Sequence, residues 1–359
     1  MIGIIGGYGA VGAWATRYIK AHTAHKLRIG GRSVEKAPAG LRTEWNDDEW
    51  IKVDVSDKES VMRFMDGCEI LLDCAKLTQA QSAMMDEIAE NEGIPVLHLG
   101  IEGFQRRESK IPVLYGAGSL PGLSGLIPQY LAQKFDSVSS LELYYCGLGT
   151  ISYIAAKDYM DSLSDSGNHS MVYWKDGRLI PYVPASSDIE TDLNRINPYN
   201  KVFPFFDAEA QAVTRKLNIK ESRFHMCICG KHTIETVNSA RYQYKQNPEE
   251  TIRKICNASV LDVFGIKENI FIWCIMDGIK DFAPQKLKMT VSGLVPSQMT
   301  GVAAGAATVA LAEGARPYGI QLLGESDLGT AIINSLILNQ PGFACEVKNL
   351  SLDEIEGEI

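Results

Sequence analysis

The stretch Met1–Gly12, MIGIIGGYGAVG, decides the fold of the first part of the chain. Its first five residues form a short apolar run that predicts a buried strand, and apolar residues recur at a helical period from Val11 onward. The GxGxxG motif therefore lies between a strand and a helix, which is where such a motif binds a dinucleotide pyrophosphate. We predict that the cofactor contacts the whole loop: Gly7, Tyr8, Gly9, Ala10, Val11 and Gly12.

The end of the second predicted strand, near Lys26–Gly30, favours NADP(H) over NAD(H). An NAD-binding enzyme usually has an acidic residue about 20 residues after the glycines, where it holds the ribose 2′-hydroxyl. This chain has Arg32 there instead, followed by Ser33 and Lys36. A guanidinium offers several donors to a 2′-phosphate, so we predict that these three side chains bind it.

Strands and helices continue to alternate along the next 90 residues. Two capping boxes are predicted, Ser56 with Glu59 and Thr78 with Gln81, each at the start of a helix. This alternation predicts an α/β fold with a Rossmann-type, doubly wound parallel sheet. The further strands are expected near Trp50–Val55, Glu69–Ala75, Ile94–Leu99 and Ile111–Tyr115.

Ligands of doubly wound sheets bind at the carboxyl ends of the strands. That rule places Asp54 and Val55 beside the adenine, and His98 near the nicotinamide. The remaining predicted cofactor contacts are Cys74, Ala75 and Lys76 at the nicotinamide ribose, and Gly118 where the chain leaves the sheet.

Composition limits the classes of function. A length of 359 residues predicts about two domains. The formal net charge of −9 disfavours nucleic acid as a partner. The start of the chain lacks the pattern of a secretion signal, and the longest small-apolar stretch, Gly301–Glu313, is too short to span a bilayer. We therefore expect a cytoplasmic protein with a small-molecule substrate and no membrane partner.

The eight cysteines are dispersed, which indicates reduced thiols. His225, Cys227, Cys229 and His232 have a spacing that a metal cluster can use. A strand with buried cysteines explains the same pattern, and we predict no metal site.

The whole chain resembles the saccharopine dehydrogenase-like reductases. The resemblance rests on the glycine loop, Gly31-Arg32-Ser33, Val53–Asp57, the segment Gly118–Leu126, and the C-terminal residues Thr300-Gly301 with Tyr318-Gly319-Ile320. It implies a substrate domain inserted into the Rossmann fold. The expected boundaries are 1–125 and 296–359 for the Rossmann domain and 126–295 for an α+β substrate and dimerisation domain.

The middle of the chain agrees with such an insertion. Its strand-like runs and the turn signal Asp176-Gly177 predict a largely antiparallel sheet, whose open face suggests a homodimer. The runs are Leu141–Cys146, Met171–Trp174, Arg223–Cys229 and Asn269–Ile275.

The resemblance implies hydride transfer to or from a C=N or C=O group of an amino-acid-derived substrate. Acidic residues that the family pattern carries in the segment corresponding to Leu120–Gly125 are absent, which argues against saccharopine itself. The expected proton donors are His98 and Tyr153, with Lys157 tuning charge or binding a carboxylate.

Two other functions fit parts of the sequence. Tyr153 and Lys157 match the YxxxK of short-chain dehydrogenases, although Tyr130 and Lys134 match it equally well. A non-catalytic NADP(H)-binding sensor also fits, because a fold does not determine a function.

Overall fold

The computed structural model describes residues 1–163, 169–183, 193–194, 197–339 and 342–350. The described residues form two compact units, one within 1–126 and 297–339, the other within 127–296 and 342–350. Within the described residues, every helix is too short or too polar to cross a membrane.

Sixteen strands are defined in the described part of the chain. In chain order they are β1 (Ile2–Ile5), β2 (Leu27–Gly31), β3 (Glu49–Lys52), β4 (Ile70–Asp73), β5 (Val96–His98), β6 (Val113–Tyr115), β7 (Ser137–Leu148), β8 (His169–Ser170), β9 (Val172–Lys175), β10 (Arg178–Pro181), β11 (Asn200–Phe206), β12 (Glu221–Cys229), β13 (Asn269–Lys280), β14 (Ala283–Gly293), β15 (Ile320–Leu322) and β16 (Ala344–Asn349).

The α-helices of the described residues are numbered in the same way. They are α1 (Gly12–His22), α2 (Ala39–Glu44), α3 (Lys58–Met65), α4 (Gln79–Glu92), α5 (Leu123–Ala132), α6 (Tyr153–Ser162), α7 (Ala208–Lys216), α8 (Lys231–Gln246), α9 (Pro248–Asp262), α10 (Pro296–Ala312) and α11 (Gly329–Asn339).

The first unit contains a parallel sheet of seven strands in the order β15-β6-β5-β4-β1-β2-β3. All six neighbouring pairs are parallel, and the chain order reverses between β1 and β4. A ligand crevice is expected at such a reversal, outside the carboxyl ends of the strands. The predicted Rossmann-type parallel sheet is confirmed.

Local sequence signals set the ends of two helices in this unit. The Thr78 side chain accepts a hydrogen bond from the Gln81 N–H, and the Gln81 side chain accepts one from the Thr78 N–H, which confirms the predicted capping box. The box predicted at Ser56 is wrong by one residue. The N-cap of α3 is Asp57, whose carboxylate accepts from the Glu59 N–H.

Helix α10 packs tightly against α1 within the first unit. A Cβ on Gly301 would lie 2.6 Å from the Cβ of Trp14 and would also collide with the Val11 carbonyl oxygen. One turn later, a Cβ on Gly305 would lie 2.8 Å from the Cβ of Tyr18. Two glycines on one face thus let the backbones of α10 and α1 approach each other.

The second unit contains a sheet of nine strands, with the main order β10-β9-β12-β7-β13-β14-β16; in addition, β11 pairs with β12, and β8 pairs with β11. Its pairs are antiparallel except β12 with β7. The predicted turn at Asp176-Gly177 joins β9 to β10, and both residues have positive φ values, 47° and 87°.

Strand β16 lies in a different unit from the one that the predicted domain boundary gives it. The sequence reading placed residues 296–359 in the Rossmann domain, but β16 is hydrogen-bonded along its length to β14 of the second sheet. An exposed edge strand such as β14 pairs with any extended segment that reaches it, and the local sequence of 344–349 does not specify that pairing. Residues 351–359 lie outside the described residues.

Candidate dinucleotide site

The glycine loop connects β1 to α1 by a turn that excludes side chains at one position. A Cβ on Gly12 would lie 2.8 Å from the Cα of Gly7 and would collide with the Gly6 carbonyl. A Cβ on Gly9 would contact only the Gly6 carbonyl oxygen, at 3.2 Å. Gly12 is therefore required by packing, whereas the absence of a side chain at Gly9 leaves open space above the loop.

The first turn of α1 fits a phosphate group. Its N-cap residue is Val11, which makes no side-chain hydrogen bond to the helix. The N–H groups of Ala13 and Trp14 donate to the Gly9 and Val11 carbonyls, so an anion at this terminus would be bound by the N–H groups before Ala13 and by the helix dipole. Tyr8, Ala10 and Val11 lie in the same loop, so the fold brings the predicted pyrophosphate contacts together at one helix terminus.

The carboxyl end of β2 is shaped by Tyr8. A Cβ on Gly31 would lie 2.7 Å from the Cε1 of Tyr8 and closer still to its hydroxyl, so a side chain at this position would displace the Tyr8 ring. The Tyr8 hydroxyl accepts a hydrogen bond of 3.3 Å from the Ser33 N–H. Arg32 and Lys36 are exposed beside this contact.

The next two strands supply the other predicted contacts. Asp54 is exposed after β3, and its carboxylate accepts a hydrogen bond from the Ser56 N–H; Val55 is half-buried against the core of the unit. After β4, the backbone of Cys74 and Ala75 runs past the loop: a Cβ on Gly6 would lie 3.1 Å from the Cys74 carbonyl carbon. Lys76 follows and is exposed.

Cys74 is placed beside the loop but is a poor nucleophile. Burial raises the pKa of the Cys74 thiol well above its usual value, and the charge of Asp73 raises it further. A thiol is reactive as its thiolate, so this environment opposes covalent chemistry at Cys74.

His98 lies at the end of β5 in a buried cluster of charges. Its Nδ1 is 3.2 Å from Asp73 Oδ2 and its Nε2 is 3.0 Å from Asp86 Oδ1. The Tyr115 hydroxyl donates to the other oxygen of Asp86 at 2.6 Å, and the Tyr115 ring stacks on the imidazole at 4.5 Å between centroids. Burial lowers the pKa of His98, but the bonds to the two carboxylates outweigh it and raise the pKa to about 9.

This arrangement opposes the proton-donor role predicted for His98. Both ring nitrogens are hydrogen-bonded to carboxylates, and the residue is only 2% exposed. Donation of a proton to a substrate would therefore require breaking a buried ion pair. Asp73, in turn, accepts a hydrogen bond of 2.9 Å from the Ala75 N–H. The histidine therefore braces Asp73 and, through it, the turn after β4.

Gly118 lies in a compact turn before α5. Its N–H donates to the Pro121 carbonyl at 3.2 Å, and its carbonyl accepts a hydrogen bond of 3.0 Å from the Leu123 N–H. The neighbouring Ser119 hydroxyl is 2.8 Å from that of Thr300 on α10. The turn is fixed by backbone bonds at the carboxyl edge of the first sheet.

Tyr153 and Lys157 lie in the second unit, on the first turns of α6. Tyr153 is 43% exposed, and the Lys157 ammonium donates to Asp161 at 2.6 Å. That bond raises the pKa of Lys157. In the short-chain dehydrogenase arrangement, the lysine lowers the pKa of the catalytic tyrosine. Here the Lys157 ammonium is paired with Asp161 instead.

His225, Cys227 and Cys229 lie on β12 and are buried, which is the arrangement expected of a strand with buried cysteines. His225 Nδ1 donates to the Leu143 carbonyl at 3.2 Å and its Nε2 is 3.1 Å from the Tyr182 hydroxyl. His232 binds Asp262 instead, at 2.8 Å. Throughout the described ranges, no group of three or more His, Cys, Asp or Glu side chains has a metal-binding arrangement.

Comparison with solved structures shows the fold of the whole chain. The apo saccharopine dehydrogenase (L-Glu forming) of Saccharomyces cerevisiae matches with a TM-score of 0.64, covering 97% of this chain and 99% of that one at 12% identity. The chain has a saccharopine dehydrogenase-like fold. The homospermidine synthase of Legionella pneumophila, solved with NAD, matches with a TM-score of 0.59 over 96% of this chain and 91% of that one at 11% identity. No protein-family model and no curated protein sequence matches.

Sequence reasoning missed three members of the site in this saccharopine dehydrogenase-like fold. Asp86 and Tyr115 were not predicted, because they reach His98 from α4 and β6 and nothing in their local sequence shows that they converge. Gly31 had a readable signal, since a second glycine directly before Arg32 indicates a close approach of another residue.

Proposed function

We propose that the protein is an NADP(H)-dependent oxidoreductase. The observation that supports this proposal most strongly is the end of β2. The glycine loop, with Gly9 and Gly12, is followed by a strand after which Arg32 and Ser33 come directly, with no acidic residue at the ribose position. An arginine here matches a 2′-phosphate in charge and geometry. The Tyr8 hydroxyl, which accepts from Ser33, keeps its own hydrogen for a phosphate or ribose oxygen.

The nicotinamide would transfer the hydride when it is bound, and the protein would hold the cofactor in position. The α1 terminus and the glycine loop hold the pyrophosphate. The turn after β4, braced by Asp73 and His98, supports the ribose next to the nicotinamide. A fixed turn there keeps the reactive ring in one orientation, which lowers the entropic cost of reaction.

The substrate that we propose carries a C=N or C=O group and derives from an amino acid. Similarity in fold to a saccharopine dehydrogenase and a homospermidine synthase supports this class. Because His98 is bound on both sides, Tyr153 is the remaining predicted donor, with Lys157 and its partner Asp161 near it in sequence. Tyr153→Phe should slow turnover by roughly 10²–10⁴ and leave NADPH binding unchanged if Tyr153 protonates the substrate.

The short-chain dehydrogenase alternative is disfavoured. Tyr153 and Lys157 follow β7, which belongs to the second sheet and not to the parallel sheet that carries the glycine loop. The non-catalytic sensor is tested by turnover: NADPH oxidation with a panel of keto acids and imines formed from amines must exceed the rate without substrate.

Cofactor preference tests the proposal directly. NADPH should bind at least about tenfold more tightly than NADH, a difference of about 1.4 kcal/mol, measured by fluorescence titration. Arg32→Asp should remove or reverse this preference, whereas Arg63→Asp, the same change on the exposed side of α3, should keep it. Equal affinities in the wild-type protein would contradict the proposal.

We also propose that the protein acts in the cytoplasm as a homodimer and uses no nucleic-acid or membrane partner. The sequence supports dimerisation, because it predicts an antiparallel sheet with one face open. Light scattering at micromolar concentration should give twice the chain mass of 39.4 kDa, and a monomer would count against the dimer.

A further inference from the structure

A closed series of contacts surrounds the end of β2. The Tyr8 hydroxyl accepts from the Ser33 N–H at 3.3 Å, and the Tyr8 ring lies 6.2 Å from the ring of Trp50. The Arg42 guanidinium lies 5.5 Å above Trp50, and its Nη1 donates to the Val34 carbonyl at 3.4 Å. Arg42, which is 10 residues beyond Arg32 in the sequence, is thus fastened to the segment that follows Arg32.

A second arginine on the same tryptophans shows what is unusual about Arg42. Arg17 lies 5.8 Å above the Trp45 ring, and Trp45 stacks on Trp50. Both Nε and Nη2 of Arg17 donate to the Glu44 carboxylate, at 3.3 Å each. The described part of the chain assigns no carboxylate to Arg42.

The cations near Ser33 likewise have no carboxylate partner among the described ion pairs. Arg32, Lys36 and Arg42 are exposed, and the described ion pairs include none of them. A phosphate monoester carries a charge of about −1.5 to −2 at neutral pH, so one cation does not neutralise it. An arginine that stacks on an aromatic face keeps its edge donors free and loses little freedom when it binds a phosphate.

We propose that Arg42, held by Trp50 and by the Val34 carbonyl, is a specificity-determining residue for the 2′-phosphate of the cofactor. The inference rests on the proposed function and deepens it. Arg32 approaches the phosphate from the end of β2, and Arg42 approaches from α2. Neutral groups suffice for the 2′-hydroxyl of NADH, so Arg42 contributes to the binding of NADPH but not to that of NADH.

The test compares two dinucleotides on three proteins. Arg42→Ala should raise the Kd for NADPH about tenfold, as expected for the loss of one charge-assisted hydrogen bond, and leave the Kd for NADH within about twofold. Arg17→Ala is the matched control, because it removes an arginine from the same tryptophan cluster and should leave the ratio of the two constants unchanged. The slope of NADPH affinity against salt should also fall for Arg42→Ala only.

The ratio of the two constants is insensitive to partial unfolding, since inactive protein weakens both equally. A ratio in Arg42→Ala equal to that of the wild type overturns the inference and leaves the proposed function intact. Equal affinity of the wild-type protein for both dinucleotides overturns both. Arg42→Lys should recover only part of the lost preference, because a lysine keeps the charge but not the stacked, forked donors.

Discussion

The imidazole of His98 is held between two carboxylates, with Nε2 3.0 Å from Asp86 Oδ1 and Nδ1 3.2 Å from Asp73 Oδ2. Tyr115 closes the cluster by donating to Asp86 at 2.6 Å. A histidine that is buried without partners loses its proton easily, but here the two carboxylates keep it and raise the pKa of His98 to about 9.

Stability should therefore depend on His98 at alkaline pH. Between an unfolded pKa of about 6.5 and a folded pKa of about 9, the folded state binds more protons, so the free energy of unfolding falls as pH rises. The contribution is complete below pH 6.5 and is on the order of 3 kcal/mol. Urea unfolding at pH 6, 7.5 and 9 should show this fall in the wild type and a smaller one in His98→Asn.

The control is the other buried histidine. His225 is neutral across this range, because burial lowers its pKa to about 4. His225→Asn should keep the alkaline fall in full. A wild-type protein with equal stability at pH 6.5 and 9 would mean that His98 is not charged in the folded state.

Two positions of the glycine loop require glycine for different reasons, so substitutions at the two positions should have different effects. Gly12→Ala places a Cβ against the Gly6 carbonyl and 2.8 Å from the Gly7 Cα, so both stability and dinucleotide binding should fall. Gly9→Ala meets only one atom, at 3.2 Å, so the protein should fold with a Tm within a few degrees of the wild type. Its methyl group occupies the phosphate side of the loop, and NADPH and NADH should both bind at least about tenfold more weakly.

Gly40→Ala serves as the control for these two substitutions. A Cβ on Gly40 would have nothing within 4 Å, and the residue lies on α2, where alanine is the better helix former. It should leave binding unchanged and preserve or slightly raise stability. Normal dinucleotide affinity in Gly9→Ala would show that the pyrophosphate does not bind at this loop.

The parts of the fold that sequence reasoning predicted are those encoded locally. The glycine loop, the Thr78–Gln81 box and the alternation of strands with helices depend on residues within one or two turns of each other. The parallel order then follows from general rules of connection. A reader of the sequence can therefore place Arg32 and the loop after β4 at the same edge of a sheet.

The remainder depends on contacts between distant segments. His98 looks like a catalytic histidine because strand ends carry active sites, and only the convergence of Asp73 and Asp86 shows that both of its nitrogens are occupied. Arg42 lies on a short helix whose sequence gives no sign that Trp50 directs it toward Val34. The pairing of β16 with β14 is likewise a choice of partner strand, which period and propensity do not encode.

Close packing of α10 on α1 should be sensitive to one methyl group. Gly301→Ala would place a Cβ 2.6 Å from that of Trp14 and against the Val11 carbonyl. Overpacking of this kind costs about 1–3 kcal/mol, and relief by moving α1 would shift the helix terminus that binds the pyrophosphate. Thermal unfolding and NADPH titration should both report a loss. Ala303→Gly on the same helix is the comparison, because it lowers stability through helix propensity and the loss of one buried methyl group, introduces no clash with α1, and should leave NADPH affinity unchanged.

Acid should destabilise the protein through His225, with the opposite sign to His98. Burial lowers the pKa of His225 to about 4, although its bond to the Leu143 carbonyl acts against this. From pH 6.5 downward the unfolded chain binds a proton at this residue and the folded state does not, so the free energy of unfolding falls with falling pH. At pH 5 the loss is on the order of 2 kcal/mol. Urea unfolding at pH 7 and pH 5 should show that His225→Asn reduces the difference. His98→Asn should leave the difference at least as large, because the stabilising contribution of His98 grows as pH falls to 6.5 and below and therefore opposes the loss caused by His225. An unchanged difference in His225→Asn would show that the ring accepts a proton inside the folded protein.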